Sequence, residues 1–167
     1  MHIALGNNGM SRPPRLAGFD YIGTHSYFLT ICTRHRAELF LESALADAVV
    51  AQFRRTSRAM GFAVLAYCVM PDHVHVLVQG RRHTSDFRRF VKRVKQSTGQ
   101  RYSHNARRPL WQEDYYDRVL RPEEPEAMVA RYIVENPVRA GLVSNPSDYP
   151  YVGSDEWSLE EIISAVV

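Results

Sequence analysis

The chain has 167 residues, of which 45% are hydrophobic and 23% are charged, and its net charge is +3. These values predict one globular domain and argue against a disordered or fibrous chain. The longest apolar run, Phe62 to Met70, is too short to cross a membrane, and the first residues lack a signal-peptide pattern. We therefore expect a cytoplasmic protein with no membrane partner. Cys32 and Cys68 lie in apolar segments and are expected to be buried, reduced thiols.

The charge is distributed unevenly along the chain. Residues 1–108 contain 17 Lys or Arg and 6 Asp or Glu, whereas residues 109–167 contain 4 and 12, so the two parts carry +11 and −8. This asymmetry predicts that the first part forms a face that binds a polyanion. The charge alone does not identify the polyanion.

In chain order, residues 1–26 are rich in glycine and proline and predict a flexible arm before a single domain over residues 27–167. The aromatic and β-branched stretch of residues 27–33 predicts a strand, and the helical spacing of apolar residues over Ser43 to Met60 predicts a helix. The segment "FAVLAYCVM" (residues 62–70) is apolar on both faces, as in a central strand.

A turn at Pro71-Asp72 leads into the strand "HVHVLVQ", and a second helix is predicted from Arg81 to Tyr102. A short strand over residues 117–121 completes the order β-α-β-β-α-β, which is the split βαβ, ferredoxin-like plan of an α+β fold, with an antiparallel sheet and helices on one face. A third helix is predicted to begin at Pro125 and to end at Asn136-Pro137, and Ser158 with Glu161 predicts a capping box.

Two histidines, His73 and His75, alternate with valines on the second strand of this hairpin. Because side chains alternate between the faces of a strand, both imidazoles point to one face and the valines to the other, helix-covered face. At this spacing the two imidazoles can converge on one divalent metal. A His-x-His pattern alone is also compatible with two functionless strand histidines.

The second predicted helix and the loop after it are strongly basic, with ten Lys or Arg and the single acid Asp86 between Arg81 and Arg108. Such a run is either a solvated helix face or a surface that binds phosphates. The candidate phosphate-binding residues, which would contact DNA if the polyanion is DNA, are Arg81, Arg82, Arg88, Arg89, Lys92, Arg93, Lys95 and Arg101.

Several spaced motifs occur together: "YFLTICT", "YCVMPDHVHVLV", "LWQEDYYDRVLR", "RYIVENPVRAGLV" and "DYPYVGS". In this order they resemble the HUH single-tyrosine transposases, with the best match to the REP-associated tyrosine transposases. The resemblance covers residues 27–151. It implies an enzyme that cleaves and rejoins single-stranded DNA, with hairpin-forming strands as the substrate class.

The resemblance also implies roles for individual residues. His73 and His75 would bind a divalent metal, and Tyr132 would attack a DNA phosphate to give a 5′-phosphotyrosine. Asn136 lies one helical turn after Tyr132 and would supply a third metal ligand. Two imidazoles and an amide oxygen favour Mg²⁺ or Mn²⁺ over zinc.

Other interpretations stay open at this stage. Tyr132 could be a buried residue of its helix and Asn136 a helix cap, while the neighbouring pair Tyr115 and Tyr116 is the rival for the nucleophile. The main alternative function is a non-catalytic nucleic-acid-binding module of the same fold. A histidine-triad hydrolase is disfavoured because the third alternating position is Leu77. The sequence does not choose between a monomer and a homodimer.

Overall fold

The strand that carries the two histidines lies in the middle of a five-stranded antiparallel sheet. The computed structural model describes residues 18–165, and the order of strands across the sheet is β4-β1-β3-β2-β5. Strands β1 to β4 have the ferredoxin-like order β4-β1-β3-β2, which confirms the predicted fold class. In chain order the strands are β1 (Ser26–Cys32), β2 (Phe62–Met70), β3 (His73–Gly80), β4 (Tyr116–Val119) and β5 (Val152–Gly153).

Helices cover both faces of this sheet. The two long helices pack on the face to which Val74, Val76 and Val78 point, and the third and fifth helices pack on the other face with Phe28 and Leu77. The histidine face was expected to be open, but Leu77 is fully buried under the third helix. In chain order the helices are α1 (Ser43–Met60), α2 (Phe87–Ala106), α3 (Glu126–Val134), α4 (Asn136–Arg139) and α5 (Leu159–Ser164).

The second long helix begins later than predicted. Residues 81–86 form a loop in which the Ser85 hydroxyl donates a hydrogen bond to the Gly61 carbonyl. Helix α2 then begins at Phe87, where the Asp86 side chain accepts from the Arg89 backbone N–H and caps the first turn. The arginines at the start of the predicted helix therefore belong to a loop. The predicted capping box at Ser158 is confirmed.

The third helix ends at Val134, two residues before the predicted end at Asn136-Pro137. A further short helix was not predicted: Glu135 keeps a helical backbone (φ −79°, ψ −5°) and the chain continues directly into α4. Pro137 lies in the first turn of α4, where a backbone N–H would have no helical partner, so the proline does not interrupt the structure.

Part of the predicted N-terminal arm is folded against the domain. The Tyr21 side chain is buried, its carbonyl accepts from Phe87 N–H, and Gly23 N–H donates to the Ser85 carbonyl. The packed chain therefore reaches beyond the predicted boundary at residue 27, while residues 1–17 of the arm lie outside the described residues. Cys32 and Cys68 are buried and free, as expected. Within residues 18–165, no helix is both long and apolar enough to span a bilayer.

Candidate active site on the histidine strand

The two imidazoles of β3 face each other across a short distance. Alternation along the strand places His73 and His75 on the face opposite the valines, and their Nε2 atoms are 3.0 Å apart. His75 is buried, with 8% of its surface exposed, whereas His73 lies at the rim, with 13% of its side chain exposed. The two imidazoles therefore lie close together on one face of the sheet, and their role as metal ligands stays a prediction.

The remaining nitrogen of each imidazole is held by a polar neighbour. His73 Nδ1 lies 2.6 Å from Asp72 Oδ1, and His75 Nδ1 lies 2.7 Å from Thr30 Oγ1 on the adjacent strand β1. A carboxylate only accepts, so His73 donates from Nδ1 and keeps a lone pair on Nε2. Thr30 can likewise accept from His75 Nδ1–H. The 3.0 Å between the Nε2 atoms is a hydrogen-bond distance when one of them carries a proton, whereas the tautomer with both protons on Nδ1 leaves both Nε2 lone pairs available to a common ion.

Burial keeps both imidazoles neutral. It lowers the pKa of His73, although the hydrogen bond and charge of Asp72 act in the opposite direction. Burial also lowers the pKa of His75 well below its usual value of 6.5, and the neighbouring His73 adds to this effect. Neutral imidazole is the form that coordinates metals.

The geometry of the pair fits a divalent metal. Ligands at right angles around Mg²⁺, each at about 2.1 Å, are separated by about 3.0 Å, which matches the observed distance between the Nε2 atoms. Among residues 18–165, no group of three or more His, Cys, Asp or Glu could hold a metal. A third protein ligand would therefore have to be a residue of another kind, and open positions would stay available for water and phosphate.

Asn136, the predicted third ligand, stands at the first position of α4, which contacts strand β2. Its side-chain nitrogen is buried and has no hydrogen-bond partner among the described residues. An amide can be rotated to exchange its oxygen and nitrogen, so this end can present either atom. Buried polar groups rarely lack partners, and a metal or a phosphate would provide one.

Tyr132 lies on α3 above the sheet and is linked to the histidines through Phe28. The Phe28 ring is stacked near His75, with centroids 5.4 Å apart, and makes an edge contact with Tyr132 at 6.3 Å. Helix α3 is fixed above the sheet because the Glu126 carboxylate accepts hydrogen bonds from Ser26 and from Gln79. The tyrosine is half-buried.

The rival tyrosines differ in position. Tyr116 pairs with Thr30, which in turn pairs with His75, so these three side chains share one face of the sheet. The Tyr116 ring also contacts Phe28, with centroids 6.1 Å apart. Tyr115 points elsewhere and lies near the amino group of Lys95. Tyr116 is therefore part of the site region and lies on the edge strand β4, next to the strand that carries Phe28.

The basic helix lies on the other side of the sheet from the histidines, because its apolar stripe packs on the valine face. Three of its predicted DNA contacts already have partners: Arg81 pairs with Glu156, Arg88 covers the Tyr21 ring, and Lys95 donates to two backbone carbonyls. Lys95 thus holds the loop after the helix through the carbonyls of Gln112 and Glu113. The other predicted contacts are all exposed, namely Arg82, Arg89, Lys92, Arg93 and Arg101.

An open groove of about 900 Å³ lies on the same valine side, between α1 and the segment before β5. Its lining includes three arginines of α1 and two tyrosines, at positions 54, 55, 58, 67 and 151. Arg54 is paired with Asp155 there. The sheet separates this groove from the histidines, so the groove is not part of the candidate active site.

Sequence reasoning missed three residues of the site: Thr30, Phe28 and Arg139. Thr30 is a polar residue at the centre of a buried strand, and that position was a usable signal. Phe28 has no such signal, because its neighbours belong to β3 and α3. The guanidinium carbon of Arg139 lies 3.9 Å from the centre of the Tyr132 ring, a contact that only the fold reveals.

Comparison with known proteins shows the family of this chain. The family described as "Transposase IS200 like" matches residues 22–136, well over half of the chain. The chain belongs to this family of transposases. The resemblance inferred from the motifs is thereby confirmed.

Individual relatives point to the same group. A REP-associated tyrosine transposase from Escherichia coli K12 is 24% identical over 135 residues, covering 78% of this chain and 77% of the relative. A Haemophilus influenzae protein, provisionally assigned to the same group, is 26% identical over 146 residues, covering 79% and 81%.

Solved structures show the same fold. A REP-associated tyrosine transposase bound to a REP hairpin has a TM-score of 0.68 at 23% identity, covering 86% of this chain and 82% of that one. A provisionally assigned transposase from Deinococcus radiodurans has a TM-score of 0.51 at 25% identity, covering 71% and 95%.

Proposed function

We propose that this chain is a metal-dependent enzyme that cleaves and rejoins single-stranded DNA through Tyr132. The observation that carries this proposal is the 3.0 Å approach of the two Nε2 atoms, with the other nitrogens held by Thr30 and Asp72. Tyr132 stands on the helix above them, separated by the Phe28 ring. Family membership supports the same assignment.

The chemistry explains why these residue types occur together. Mg²⁺ or Mn²⁺ held by His73, His75 and Asn136 would neutralise charge on a non-bridging phosphate oxygen. Tyr132 Oη attacks the phosphorus and loses its proton to solvent, while the bond to the 3′ oxygen breaks and that oxygen takes up a proton. The products are a 5′-phosphotyrosine and a free 3′-hydroxyl. Attack by a 3′-hydroxyl reverses the step and reseals DNA without ATP.

We further propose that the substrate is single-stranded DNA containing a hairpin. The solved structure with the same fold is bound to a REP hairpin, and its group name is shared by the relatives in Escherichia coli and Haemophilus influenzae. The exposed basic residues of α2 supply the positive charge that a DNA backbone requires. They lie on the other side of the sheet, so DNA binding and cleavage are separable.

The test is to mix the protein with labelled hairpin oligonucleotides and Mn²⁺ or Mg²⁺ and to look for a covalent adduct on a denaturing gel. We expect an adduct with the native chain and with Tyr116→Phe, and none with Tyr132→Phe or in EDTA. DNA binding, measured separately, should persist in all samples. An adduct that survives Tyr132→Phe contradicts the nucleophile. Salt-sensitive binding without any adduct would favour the non-catalytic binding module.

A further inference from the structure

Arg139 reaches back along the chain from the end of α4 to the tyrosine of α3. Its guanidinium carbon lies 3.9 Å from the centre of the Tyr132 ring, within the distance of a cation–π contact. The Nη2 atom of the same group donates a hydrogen bond of 2.5 Å to the Tyr132 carbonyl oxygen. One side chain therefore contacts both the ring and the backbone of the proposed nucleophile.

Glu135 restrains this guanidinium from the side. Its Oε2 lies 3.8 Å from Arg139 Nη1, and its Oε1 accepts from Arg131 Nε at 2.8 Å. The two arginines thus flank one carboxylate, four residues before and four residues after it. Only Arg139 covers Tyr132, whereas Arg131 extends to the carbonyl of Ala165. Arg131 is therefore a suitable control for Arg139, because both arginines contact Glu135 and only Arg139 contacts the tyrosine ring.

The charge of Arg139 also reaches the histidine side of the site. It is one of the smaller causes that lower the pKa of His75, after burial and His73, and it opposes the effect of burial on the Cys68 thiol. With 38% of its side chain exposed, Arg139 also faces the solvent from which DNA arrives.

A purely structural role explains these contacts poorly. An exposed ion pair between Arg139 and Glu135 contributes little to stability, and a bond to the Tyr132 carbonyl needs no aromatic partner. Arg139 is the last residue of α4, which follows α3 directly, so it lies seven residues, or about two helical turns, after Tyr132. This spacing places a cation at the one tyrosine with a proposed chemical role.

We propose that Arg139 is a positioning residue that fixes the orientation of the Tyr132 ring for attack on the DNA phosphate; the role in attack rests on the proposed function. Phe28 contacts the ring from the sheet, and Arg139 contacts it from α4, so the hydroxyl is held in a restricted range of directions. The planar guanidinium can stack on the ring and bond the carbonyl at once, which a lysine ammonium cannot do.

The kinetic test compares Arg139→Ala and Arg139→Lys with Arg131→Ala as the control. In single-turnover reactions at saturating hairpin DNA, we expect Arg139→Ala to slow adduct formation by about 100-fold, the size of a small misplacement of a reacting group. Arg139→Lys should be almost as slow, and Arg131→Ala should match the native rate. Melting temperatures of the two alanine variants should be equal. Equal adduct rates for both alanine variants, or rescue by lysine, would overturn the proposal.

A second readout does not depend on activity. With 3-fluorotyrosine at position 132, the ¹⁹F resonance should shift and broaden in Arg139→Ala and stay unchanged in Arg131→Ala, because only Arg139 restrains the ring. An unchanged resonance in Arg139→Ala would overturn the positioning role even if DNA is cleaved. A shifted resonance in a protein that never forms an adduct would support the restraint and count against the proposed function alone.

Discussion

The hydroxyl of Thr30 lies 2.7 Å from His75 Nδ1, and both residues are buried on neighbouring strands. Their Cα atoms are direct partners in the β1–β3 pairing, so the contact is built into the register of the sheet. Thr30 thereby sets which nitrogen of His75 is available for a metal. In this respect it acts as the outer partner that metal-binding histidines generally need.

We expect Thr30→Val, which keeps the shape and removes the hydroxyl, to weaken Mn²⁺ binding by about 10- to 100-fold. The unpaired His75 nitrogen should also lower the free energy of unfolding by about 1–3 kcal/mol. Calorimetric titration with Mn²⁺ and urea unfolding measure the two effects. Thr98→Val is the control, since Thr98 is a buried, hydrogen-bonded threonine on the valine side. It should lose stability without losing Mn²⁺ affinity; equal affinities for both variants would contradict the prediction.

Asp72 should increase the metal affinity of the site by orienting His73. Its Oδ1 bonds His73, and its Oδ2 is 2.9 Å from Arg36 Nε. Asp72→Asn removes the charge that holds His73 Nδ1–H, so we expect Mn²⁺ affinity to fall by about 10-fold. Arg36→Ala should have a smaller effect because Arg36 contacts only the outer oxygen. A larger loss in Arg36→Ala than in Asp72→Asn would show that the orientation of His73 does not depend on this carboxylate.

Tyr116 should bind DNA without being the nucleophile. Its ring lies on the histidine face beside Phe28, where an unpaired base could stack. We expect Tyr116→Ala to weaken the binding of single-stranded hairpin DNA by about 5- to 100-fold, the loss of one stacked base. Fluorescence anisotropy with an end-labelled hairpin measures this. A loss of adduct in Tyr116→Phe would instead assign Tyr116 a chemical role.

The basic face of α2 should contribute affinity but not catalysis. For the double variant Lys92→Ala, Arg93→Ala, the slope of log affinity against log salt should become shallower by about 0.7 for each lost contact with a single strand. Anisotropy titrations at several NaCl concentrations give this slope. The rate of adduct formation at saturating DNA should stay native, because the sheet separates these residues from the histidines. An unchanged slope would show that these basic residues of α2 form a solvated helix face that does not bind DNA.

Most of the fold follows from periodicity and turn residues. The bounds of α1 and β2 agree with the predicted ones because Gly61 adopts the left-handed conformation that ends the helix (φ 72°), and the strand after it is apolar on both faces. The later start of α2 was missed because the loop before it is held by Ser85, whose bond to Gly61 joins residues distant in sequence. The continuation through Pro137 was missed because a proline tolerated in a first turn resembles one that ends a helix.

The sequence by itself determined the facing of His73 and His75, since alternation along a strand depends only on residue spacing. Together with the ordered motifs, it also determined the family and the choice of Tyr132 as the candidate nucleophile. Only the tertiary structure decided which groups surround them. Thr30 reaches His75 through strand pairing, and Arg139 at the end of α4 reaches back to Tyr132 on α3. The basic helix α2 lies on the side of the sheet opposite the histidines because its apolar residues pack on the valine face. Such contacts between distant segments depend on burial and not on local spacing, so only the tertiary structure reveals them.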